Sequence, residues 1–336
     1  MKNKNILVTG GLGFIGSHTV VELLNAGYFP VIIDNLCNSE LSVLNGIEKI
    51  TGEKPVFIKQ DILDTLALEQ TLKNYEINTV IHFAAHKAVG ESVEKPLDYY
   101  YNNVSGLISL LKAMGKCEVK NLIFSSSCTV YGQAKELPVT EFTPVSKAES
   151  PYGNTKKICE EILNDVSKTN LIKTVSLRYF NPAGAHKSSL IGELPIGIPN
   201  NLVPYITQTA AGIRENLTIF GNNYNTLDGT CIRDYIHVVD LAAAHVKSVK
   251  FINNFDNNYE IFNIGTGKGT SVLELVNTFE NVNSVKLNYS YGARRSGDIE
   301  QIWADCKKAN AFLGWRAKLD INDIVKDAWN WQKQLI

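Results

Sequence analysis

The stretch that decides the fold is Asn5-Ile6-Leu7-Val8-Thr9-Gly10-Gly11-Leu12-Gly13-Phe14-Ile15-Gly16, near the start of the 336-residue chain. Its first five residues form an apolar run with β-branched members, which predicts a buried parallel strand. The glycines satisfy both Gly-x-x-Gly-x-x-Gly and Gly-x-Gly-x-x-Gly, and helical periodicity begins at Ser17. Glycines permit a tight turn and close approach of the backbone to a pyrophosphate, to which the following helix offers free N–H groups. The stretch therefore predicts a strand, a phosphate-binding turn and a helix.

An acidic residue follows the second predicted strand. Pro30-Val31-Ile32-Ile33 is apolar, and Asp34 comes 18 residues after Gly16. In a dinucleotide-binding unit this position holds the ribose, where a carboxylate accepts hydrogen bonds from a free 2′-OH and repels a 2′-phosphate. We therefore expect NAD rather than NADP, with the alternative that Asp34 only caps its strand.

The first half of the chain alternates between two patterns. Short apolar runs at 56–58, 79–85 and 121–124 are separated by stretches of helical periodicity. This alternation predicts an α/β fold, namely a Rossmann-type doubly wound parallel sheet with a smaller C-terminal substrate-binding lobe. Asp61 follows the third strand, where its carboxylate either meets an adenine amino group or caps the next helix. The small residues in Phe83-Ala84-Ala85 leave room for a flat cofactor across the strand end.

The stretch Ser150-Pro151-Tyr152-Gly153-Asn154-Thr155-Lys156 places a phenol four residues before an amine. In a helix both side chains leave on one face, one turn apart. The pKa of a phenol is about 10, and a nearby positive charge favours the phenolate and lowers that pKa. The fifth strand opens onto Ser125-Ser126-Ser127, where α/β folds bind ligands. Tyr152, Lys156 and Ser127 are thus a candidate acid–base trio, the alternative being two unrelated helix residues beside an ordinary loop.

The pattern changes after Tyr179. Asn181-Pro182-Ala183-Gly184 ends the alternation, and residues 194–204 are rich in Pro, Gly and Asn. We place a boundary near Phe180, which separates an NAD-binding domain from a smaller substrate lobe. The predicted domains are residues 1–180 and 181–336, with segments near 234–245 and 260–270 as candidates for a return to the first.

Two local signatures lie in the second half. Ser271 and Glu274 precede an apolar run with the spacing of a capping box, which predicts the start of a helix. Gly265-Thr266-Gly267-Lys268-Gly269 lacks the spacing of a Walker phosphate loop, so we interpret it as an ordinary loop.

Composition excludes several classes of protein. The net charge of −1 argues against a nucleic-acid surface or an anionic membrane as partner. The six cysteines include no Cys-x-x-Cys pair and no accompanying His cluster, so we expect no metal site. They are typical of reduced thiols in a cytoplasmic protein. The apolar run after Met1-Lys2-Asn3-Lys4-Asn5 is too short for a signal peptide or a membrane span.

The glycine pattern, Ser127 and the Tyr152-x-x-x-Lys156 spacing together resemble the extended short-chain dehydrogenase/reductase superfamily. Longer strings are similar to the UDP-glucose 4-epimerase family, and the similarity extends to Trp331. These strings are Asp34-Asn35-Leu36-Cys37-Asn38-Ser39, His86-Lys87-Ala88-Val89-Gly90-Glu91-Ser92, Arg178-Tyr179-Phe180-Asn181-Pro182, Ile198-Pro199-Asn200-Asn201-Leu202 and Arg233-Asp234-Tyr235-Ile236-His237.

This resemblance implies a mechanism in which NAD stays bound and no net redox change occurs. Tyr152, as phenolate, removes the proton of the sugar 4-hydroxyl while NAD takes the hydride from carbon 4. Lys156 and the cationic nicotinamide stabilise the phenolate, and Ser127 holds the substrate oxygen. The 4-keto sugar turns over in the pocket and takes the hydride back on its other face.

The resemblance also implies which residues bind the cofactor. They are Gly10, Gly13, Phe14, Ile15, Gly16, Asp34, Asn35, Leu36, Cys37, Asn38, Ser39, Asp61, Ile62, Phe83, Ala84, Ala85, Lys87, Asn102, Ser127, Tyr152, Lys156 and Phe180.

A second implied set binds the UDP-hexose substrate. Arg233 and Arg295 are expected at the pyrophosphate, Asp298 at the uridine ribose and Phe220 at the uracil. The full set is Lys87, Ser127, Tyr152, Asn181, Asn201, Leu202, Ile219, Phe220, Arg233, Arg295, Asp298 and Ile302.

Two departures from the family pattern stand out. Ile302 occupies a position that flanks the C2 substituent of the hexose, where Tyr excludes N-acetylated sugars and a small residue admits them. Ile is intermediate, which leaves the use of UDP-N-acetylglucosamine open. Cys128 stands where the smaller Ala is common, and we expect it to be neutral.

Two other functions compete with the epimerase interpretation. A nucleotide-sugar 4,6-dehydratase of the superfamily would carry an Asp-Glu pair ahead of Val130-Tyr131-Gly132, where this chain has Cys128-Thr129. A non-catalytic NAD-binding protein would usually lack the tyrosine or the lysine. The resemblance also implies a homodimer, formed through helices that match residues 96–114 and 152–167.

Overall fold

The computed structural model describes residues 4–295 and 298–336. Its strands are β1 (Asn5–Thr9), β2 (Phe29–Asp34), β3 (Val56–Lys59), β4 (Thr79–His82), β5 (Asn121–Ser127), β6 (Lys173–Tyr179), β7 (Asn181–Ala183), β8 (Leu217–Phe220), β9 (Ile232–Arg233), β10 (Tyr235–His237), β11 (Tyr259–Ile264), β12 (Thr270–Ser271), β13 (Tyr289–Gly292) and β14 (Gln301–Ile302).

The helices connect these strands and cover the sheet. They are α1 (Phe14–Asn25), α2 (Ser42–Thr51), α3 (Thr65–Asn74), α4 (Val89–Glu94), α5 (Pro96–Tyr99), α6 (Gly106–Lys116), α7 (Pro151–Ser167), α8 (Leu202–Ala210), α9 (Val238–Ile252), α10 (Val272–Asn283), α11 (Lys307–Leu313) and α12 (Ile321–Gln332), with a π-helical segment Tyr100–Ser105 and a 3-10 helix Cys128–Tyr131.

Seven parallel strands form the central sheet in the order β11-β6-β5-β4-β1-β2-β3. The order reverses between β1 and β4, which is the point where a doubly wound sheet opens a crevice at its carboxyl edge. The predicted Rossmann-type doubly wound sheet is therefore confirmed.

Both faces of this sheet are buried, as strand β1 illustrates. Ile6 and Val8 pack into the core beneath α1 and α9, whereas Leu7 packs into the core on the other face beneath α3 and α6. Side chains alternate between the faces of a strand, so a strand with helices on both sides needs apolar residues throughout. This requirement explains the unbroken apolar run at the start of the chain.

The residues after Tyr179 build three small sheets over a separate core. Strand β7 pairs with β10, β8 with β13, and β9 lies between β12 and β14. Their core includes Ile219, Leu275 and Phe279. Two later elements nevertheless join the first half, since β11 pairs with β6 and α9 packs against α1.

A buried carboxylate organises the loop at Gly265–Gly269. Asp234 accepts hydrogen bonds from the backbone N–H groups of Thr266 and Gly267, at 2.8 and 3.1 Å, and from Ala304 at 3.2 Å. The interpretation of this segment as a loop is confirmed, and its N–H groups bind a protein carboxylate. The capping box predicted at Ser271 and Glu274 is also present at the start of α10.

Two local features differ from the sequence predictions. Helix α3 is capped by Asp64, which accepts a hydrogen bond from Ala67 N. The predicted alternative of a cap from Asp61 was wrong, because Asp61 instead accepts from Leu63 N and from the Asn35 side chain. The helical stretch after Pro96 also contains an unpredicted π-helical segment, a feature often found at functional sites.

Candidate functional site

The glycine turn has the shape of a pyrophosphate cradle. Gly10 has a φ of +66°, and a Cβ there would lie 2.8 Å from Ala84 N. A Cβ on Gly16 would lie 2.3 Å from Gly10 O, which explains why the third residue of α1 is a glycine. In the described part of the chain no side chain caps α1 at Gly13, and no acidic residue occupies its first turn. Its N–H groups and positive dipole end therefore suit an anion.

This close packing gives a first testable prediction. Gly16→Ala is expected to weaken dinucleotide binding by about 10–100-fold, because overpacking costs about 1–3 kcal/mol and must shift the turn. The measurement is the amount of dinucleotide retained per chain after gel filtration, read by absorbance after acid release.

Gly115→Ala is the matched control for that variant. It lies in α6, and within the described residues no atom comes within 4 Å of an added Cβ. This control should retain the dinucleotide. If Gly16→Ala retained as much as Gly115→Ala, the turn would not be the cradle.

Asp34 lies directly beside this turn. Its Oδ2 accepts from Leu12 N at 3.2 Å, and its Oδ1 accepts from Ser39 Oγ at 2.8 Å and from Leu36 N at 2.9 Å. Asn35 donates to Asp61 Oδ2 at 2.9 Å, which joins the ends of β2 and β3. The acids and amides predicted to hold the adenosine half of NAD are thus gathered at adjacent strand ends.

The loop after β4 is fixed by the π-helical segment. Asn103 Oδ1 accepts from His86 N at 2.8 Å, and Asn103 Nδ2 donates to His86 O at 3.0 Å. The same amide donates to Thr155 Oγ1, next to Lys156, at 3.1 Å. Asn102 in turn donates to Asn103 Oδ1 at 2.9 Å. The Phe83-Ala84-Ala85 turn is therefore tied to the helix that carries Tyr152.

The structure brings the three candidate catalytic residues together. Pro151 and the Ser150 cap, which accepts from Gly153 N at 3.1 Å, start α7 and place Tyr152 in its first turn. Lys156 Nζ lies 6.0 Å from the Tyr152 ring centroid and donates to Ser125 O at 2.7 Å. Ser127 ends β5 beside the phenol, and its Oγ accepts from Thr129 N at 3.2 Å. All three side chains are buried.

Burial dominates the acid–base properties of this trio. It raises the pKa of Tyr152 well above its usual value, Tyr179 raises it further, and the Ser127 hydroxyl lowers it. Burial lowers the pKa of Lys156 to about 8, although Cys159 and Glu160 oppose this effect. Lys156 thus remains mostly an ammonium at pH 7, whereas the protein atoms keep the phenol protonated. A further positive charge is needed for Tyr152 to act as a base at neutral pH.

Four residues predicted to bind the nucleotide of the substrate also lie together. Arg295 Nε donates to Asp298 Oδ2 at 3.0 Å, and Arg233 Nη2 lies 4.0 Å from Asp298 Oδ1. The Arg295 guanidinium stacks 4.9 Å from the centroid of the exposed Phe220 ring. Two arginines beside an exposed aromatic ring provide charge for phosphates and a flat surface for a base.

The residues around the expected sugar position are mostly buried. Ile302 packs with Cys128 and Phe180 in one small core that adjoins Ser127. Ile219 is 1% exposed and packs in the core of the second half. Cys128, Phe180 and Ile302 therefore form an apolar wall next to Ser127.

Glu193 is a residue of this region that the sequence motifs did not indicate. Lys87 Nζ and Asn201 Nδ2 both donate to its Oε1, at 3.0 and 2.6 Å. Its backbone oxygen accepts from Trp331 Nε1 at 2.9 Å. Glu193 thus joins the loop after β4 to the start of α8. The only sequence signal was a single acid in a Pro- and Gly-rich segment.

Two features are absent from residues 4–295 and 298–336, namely a metal-binding cluster and a membrane-spanning helix. No three His, Cys, Asp or Glu side chains in this part of the chain are close enough together to hold a metal ion. Every helix there is too short or too polar to cross a lipid bilayer.

Comparison with known proteins identifies the family. The profile of the GDP-mannose 4,6 dehydratase family matches residues 7–328. The UDP-glucose 4-epimerase of Haemophilus influenzae is 51% identical over 98% of this chain and 97% of its own length.

Solved structures agree with this sequence match. A UDP-glucose 4-epimerase from Stenotrophomonas maltophila, with bound NAD and formylated UDP-arabinopyranose, is 46% identical with a TM-score of 0.97, covering 99% of both chains. One from Bifidobacterium longum, in complex with NAD⁺ and UDP, is 46% identical with a TM-score of 0.95, covering 98% of both chains. The chain belongs to the UDP-glucose 4-epimerase family of the extended short-chain dehydrogenase/reductase superfamily.

Proposed function

We propose that this protein interconverts UDP-galactose and UDP-glucose through a transient 4-keto sugar and a tightly bound NAD. The observation that carries the proposal is the buried trio of Tyr152, Lys156 and Ser127 beside the glycine turn. The trio lies in a chain that is 51% identical to a UDP-glucose 4-epimerase over almost its whole length.

Each member of the trio has a distinct role in this chemistry. Tyr152 accepts the proton of the sugar 4-hydroxyl and returns it, while Ser127 donates a hydrogen bond to the same substrate oxygen. Lys156, held by Ser125 O, keeps an ammonium near the phenol. When bound, NAD⁺ supplies the hydride acceptor and the additional positive charge that the buried phenol requires.

In this proposal the two halves of the chain bind different ligands. We assign the dinucleotide to the domain of residues 1–180, with β11 and α9 returning to it, and the UDP-hexose to residues 181–336. The glycine turn and Asp34 fit the dinucleotide, because a Cβ would fill the cradle and the carboxylate faces the turn. Arg233 and Arg295 would hold the diphosphate of the sugar nucleotide, with Phe220 against the uracil.

One assay tests the function directly. Purified protein is incubated with UDP-galactose without added NAD, and the sugar nucleotides are separated chromatographically. UDP-glucose is the expected product. A 4-keto-6-deoxy sugar would identify a dehydratase, and no turnover despite bound NAD would identify a non-catalytic binding protein.

The chain lacks, after Ser127, the acidic residues that a dehydratase needs. Elimination of water from the sugar requires an acid–base pair near carbons 5 and 6. The residues that follow Ser127 are Cys128 and Thr129, and burial raises the pKa of the Cys128 thiol to about 12. Neither side chain replaces a carboxylate at neutral pH.

Ile302 is the residue that we expect to control use of N-acetylated substrates. Ile302→Ser is expected to raise the ratio of kcat/KM for UDP-N-acetylglucosamine to that for UDP-glucose by about tenfold, because the smaller side chain removes a wall of the sugar site. Steady-state kinetics with both substrates measure this ratio. Ile302→Tyr should lower it, and equal ratios in both variants would exclude a role for this position.

An apolar surface suits a second copy of this chain. Leu97 is 80% exposed and lines a cavity of about 600 Å³ with Tyr101 and Ile158, between α5, the π-helical segment and α7. Such exposed apolar surface is typical of an interaction site. We propose a homodimer through this surface, in a cytoplasmic protein with reduced thiols.

Leu97→Asp is expected to weaken self-association by at least ~100-fold, because it places a charge in an apolar interface. Sedimentation velocity over a range of concentrations measures the change. Phe142→Asp is the matched control, since Phe142 is 90% exposed but lies outside this surface. A dimer that tolerated Leu97→Asp would place the interface elsewhere.

A further inference from the structure

A buried ion pair lies one helical turn beyond Lys156, outside the catalytic trio. Glu160 in α7 is 6% exposed and Arg178 in β6 is 3% exposed. Arg178 Nη2 lies 2.6 Å from Glu160 Oε2, and Arg178 Nε donates to Oε1 at 2.9 Å. The free energy needed to remove two charges from water offsets much of their attraction. A buried ion pair therefore need not serve stability alone.

The pair is tied to the strand that carries Ser127. Ser126 Oγ donates to Glu160 Oε1 at 2.5 Å, while Lys156 Nζ donates to the neighbouring Ser125 O at 2.7 Å. Two α7 residues one turn apart thus hold two consecutive residues of β5. This double contact fixes the end of the strand, and Ser127 with it, against the helix that carries Tyr152.

The other flank of Ser127 is held through the same arginine. Arg178 Nη1 donates to Tyr131 OH at 3.1 Å, and Tyr131 OH donates to Asn263 Oδ1 at 2.6 Å. Asn263 Nδ2 donates to Val139 O at 3.0 Å. Glu160 and Arg178 therefore anchor the chain both before and after Ser127.

Other titratable groups face Lys156, Tyr152 or Glu160 from the surrounding elements. They are His82, Tyr99, Cys128, Cys159, Tyr179 and Tyr259. Burial lowers the pKa of His82 to about 3 and raises the pKa of the two cysteines and three tyrosines. All six groups are thus neutral at pH 7, and Glu160 is the charged carboxylate that acts on Lys156.

We infer that the Glu160–Arg178 pair is a positioning device for the catalytic trio, which holds Ser127 against α7 and balances the electric field at Lys156 and Tyr152. This inference rests on the proposed epimerase function. Glu160 by itself favours the ammonium of Lys156 and raises the pKa of that residue. Arg178 carries the opposite charge, with its Nη2 at 2.6 Å from Glu160 Oε2, and therefore opposes this effect.

Glu160→Gln tests the electrostatic part. Glutamine has nearly the same shape as glutamate, but it is neutral and leaves the Arg178 charge unopposed. This positive charge disfavours the Lys156 ammonium and favours the Tyr152 phenolate. Both pKa values fall, so both limbs of the kcat–pH profile are expected to move to lower pH by roughly 0.5–1 unit. The neutral double variant Glu160→Gln/Arg178→Met should return the profile to within about 0.2 unit of the parent.

Ser126→Ala tests the positioning part without changing any charge. It is expected to lower kcat by about 3–10-fold, with KM for UDP-galactose within about twofold of the parent and the pH profile unmoved. Tyr259→Phe is the control for a lost buried hydroxyl near Glu160 and should keep the parent kcat. If Glu160→Gln does not fold, the positioning role is tested with Ser126→Ala and the double variant.

The outcomes separate this inference from the function on which it rests. Parent protein that does not convert UDP-galactose removes the proposed function. Active parent protein with an unmoved profile in Glu160→Gln, or with parent-like kcat in Ser126→Ala, overturns the positioning role alone. A double variant whose profile is displaced as far as that of Glu160→Gln would also overturn it, because the displacement would then not come from charge.

Discussion

Tyr152→Phe is expected to lower kcat for UDP-galactose by at least ~100-fold, the low end for loss of a positioned acid–base group. The substitution removes one oxygen from a buried ring in the first turn of α7 and changes little of its packing. The variant should therefore still fold, retain its dinucleotide and bind UDP. Single-turnover and steady-state rates, with thermal unfolding as a check on folding, measure the effect.

Tyr179→Phe is the comparison variant, because it removes the hydroxyl of a second buried tyrosine near Tyr152. Tyr179 is also a buried tyrosine, and its hydroxyl is paired with Ser125 Oγ. Its loss should reduce kcat less than the loss of the Tyr152 hydroxyl, because Tyr179 has no part in the proposed proton transfer. A Tyr152→Phe variant that kept the parent rate would exclude the phenol as the proton acceptor.

The glycine turn and the trio could be predicted from sequence because each depends on short-range rules. Gly16 must lack a Cβ as its neighbour Gly10 lies only six positions away in the same turn. Tyr152 and Lys156 share one helix face by their spacing alone. Ser127 follows from the rule that ligands of an α/β sheet lie at the carboxyl ends of its strands.

Other features depend on contacts between distant parts of the chain. Glu193 meets Lys87 across 106 positions, so neither residue reveals the other in the sequence. The π-helical segment has the apolar pattern of an ordinary helix, and the contacts of Asn103 with His86 and Thr155 appear only after folding. The role of Asp34 is intermediate, since its position was predictable but its bond to Leu12 N was not.

The electrostatics of the trio were the least accessible to sequence analysis. Spacing predicted that Lys156 lowers the pKa of Tyr152, but spacing contains no information on burial. In the folded protein burial raises the pKa of Tyr152 and lowers that of Lys156 to about 8. Lys156 is not among the groups that set the pKa of Tyr152 in the protein alone, so the proposed mechanism needs its charge together with that of the bound dinucleotide to offset the desolvation of the phenol.

Lys156→Met is accordingly expected to lower kcat at pH 7 by at least ~100-fold, because it removes the protein's own positive charge near the phenol. Without that ammonium the pKa of Tyr152 rises, so the acid limb of the kcat–pH profile moves to higher pH. The parent should also lose activity as pH rises through about 8, where Lys156 gives up its proton. The variant has no such group, and this alkaline limb should disappear.

Lys157→Met is the matched control for this prediction. It removes a lysine from the next position of the same helix, about 100° around its axis. It should leave both limbs of the profile in place. If Lys156→Met instead lost activity with both limbs unmoved, the lysine would act only through its hydrogen bond to Ser125 O. Its role would then be to hold β5 against α7, and the charge that creates the phenolate would have to come from the dinucleotide alone.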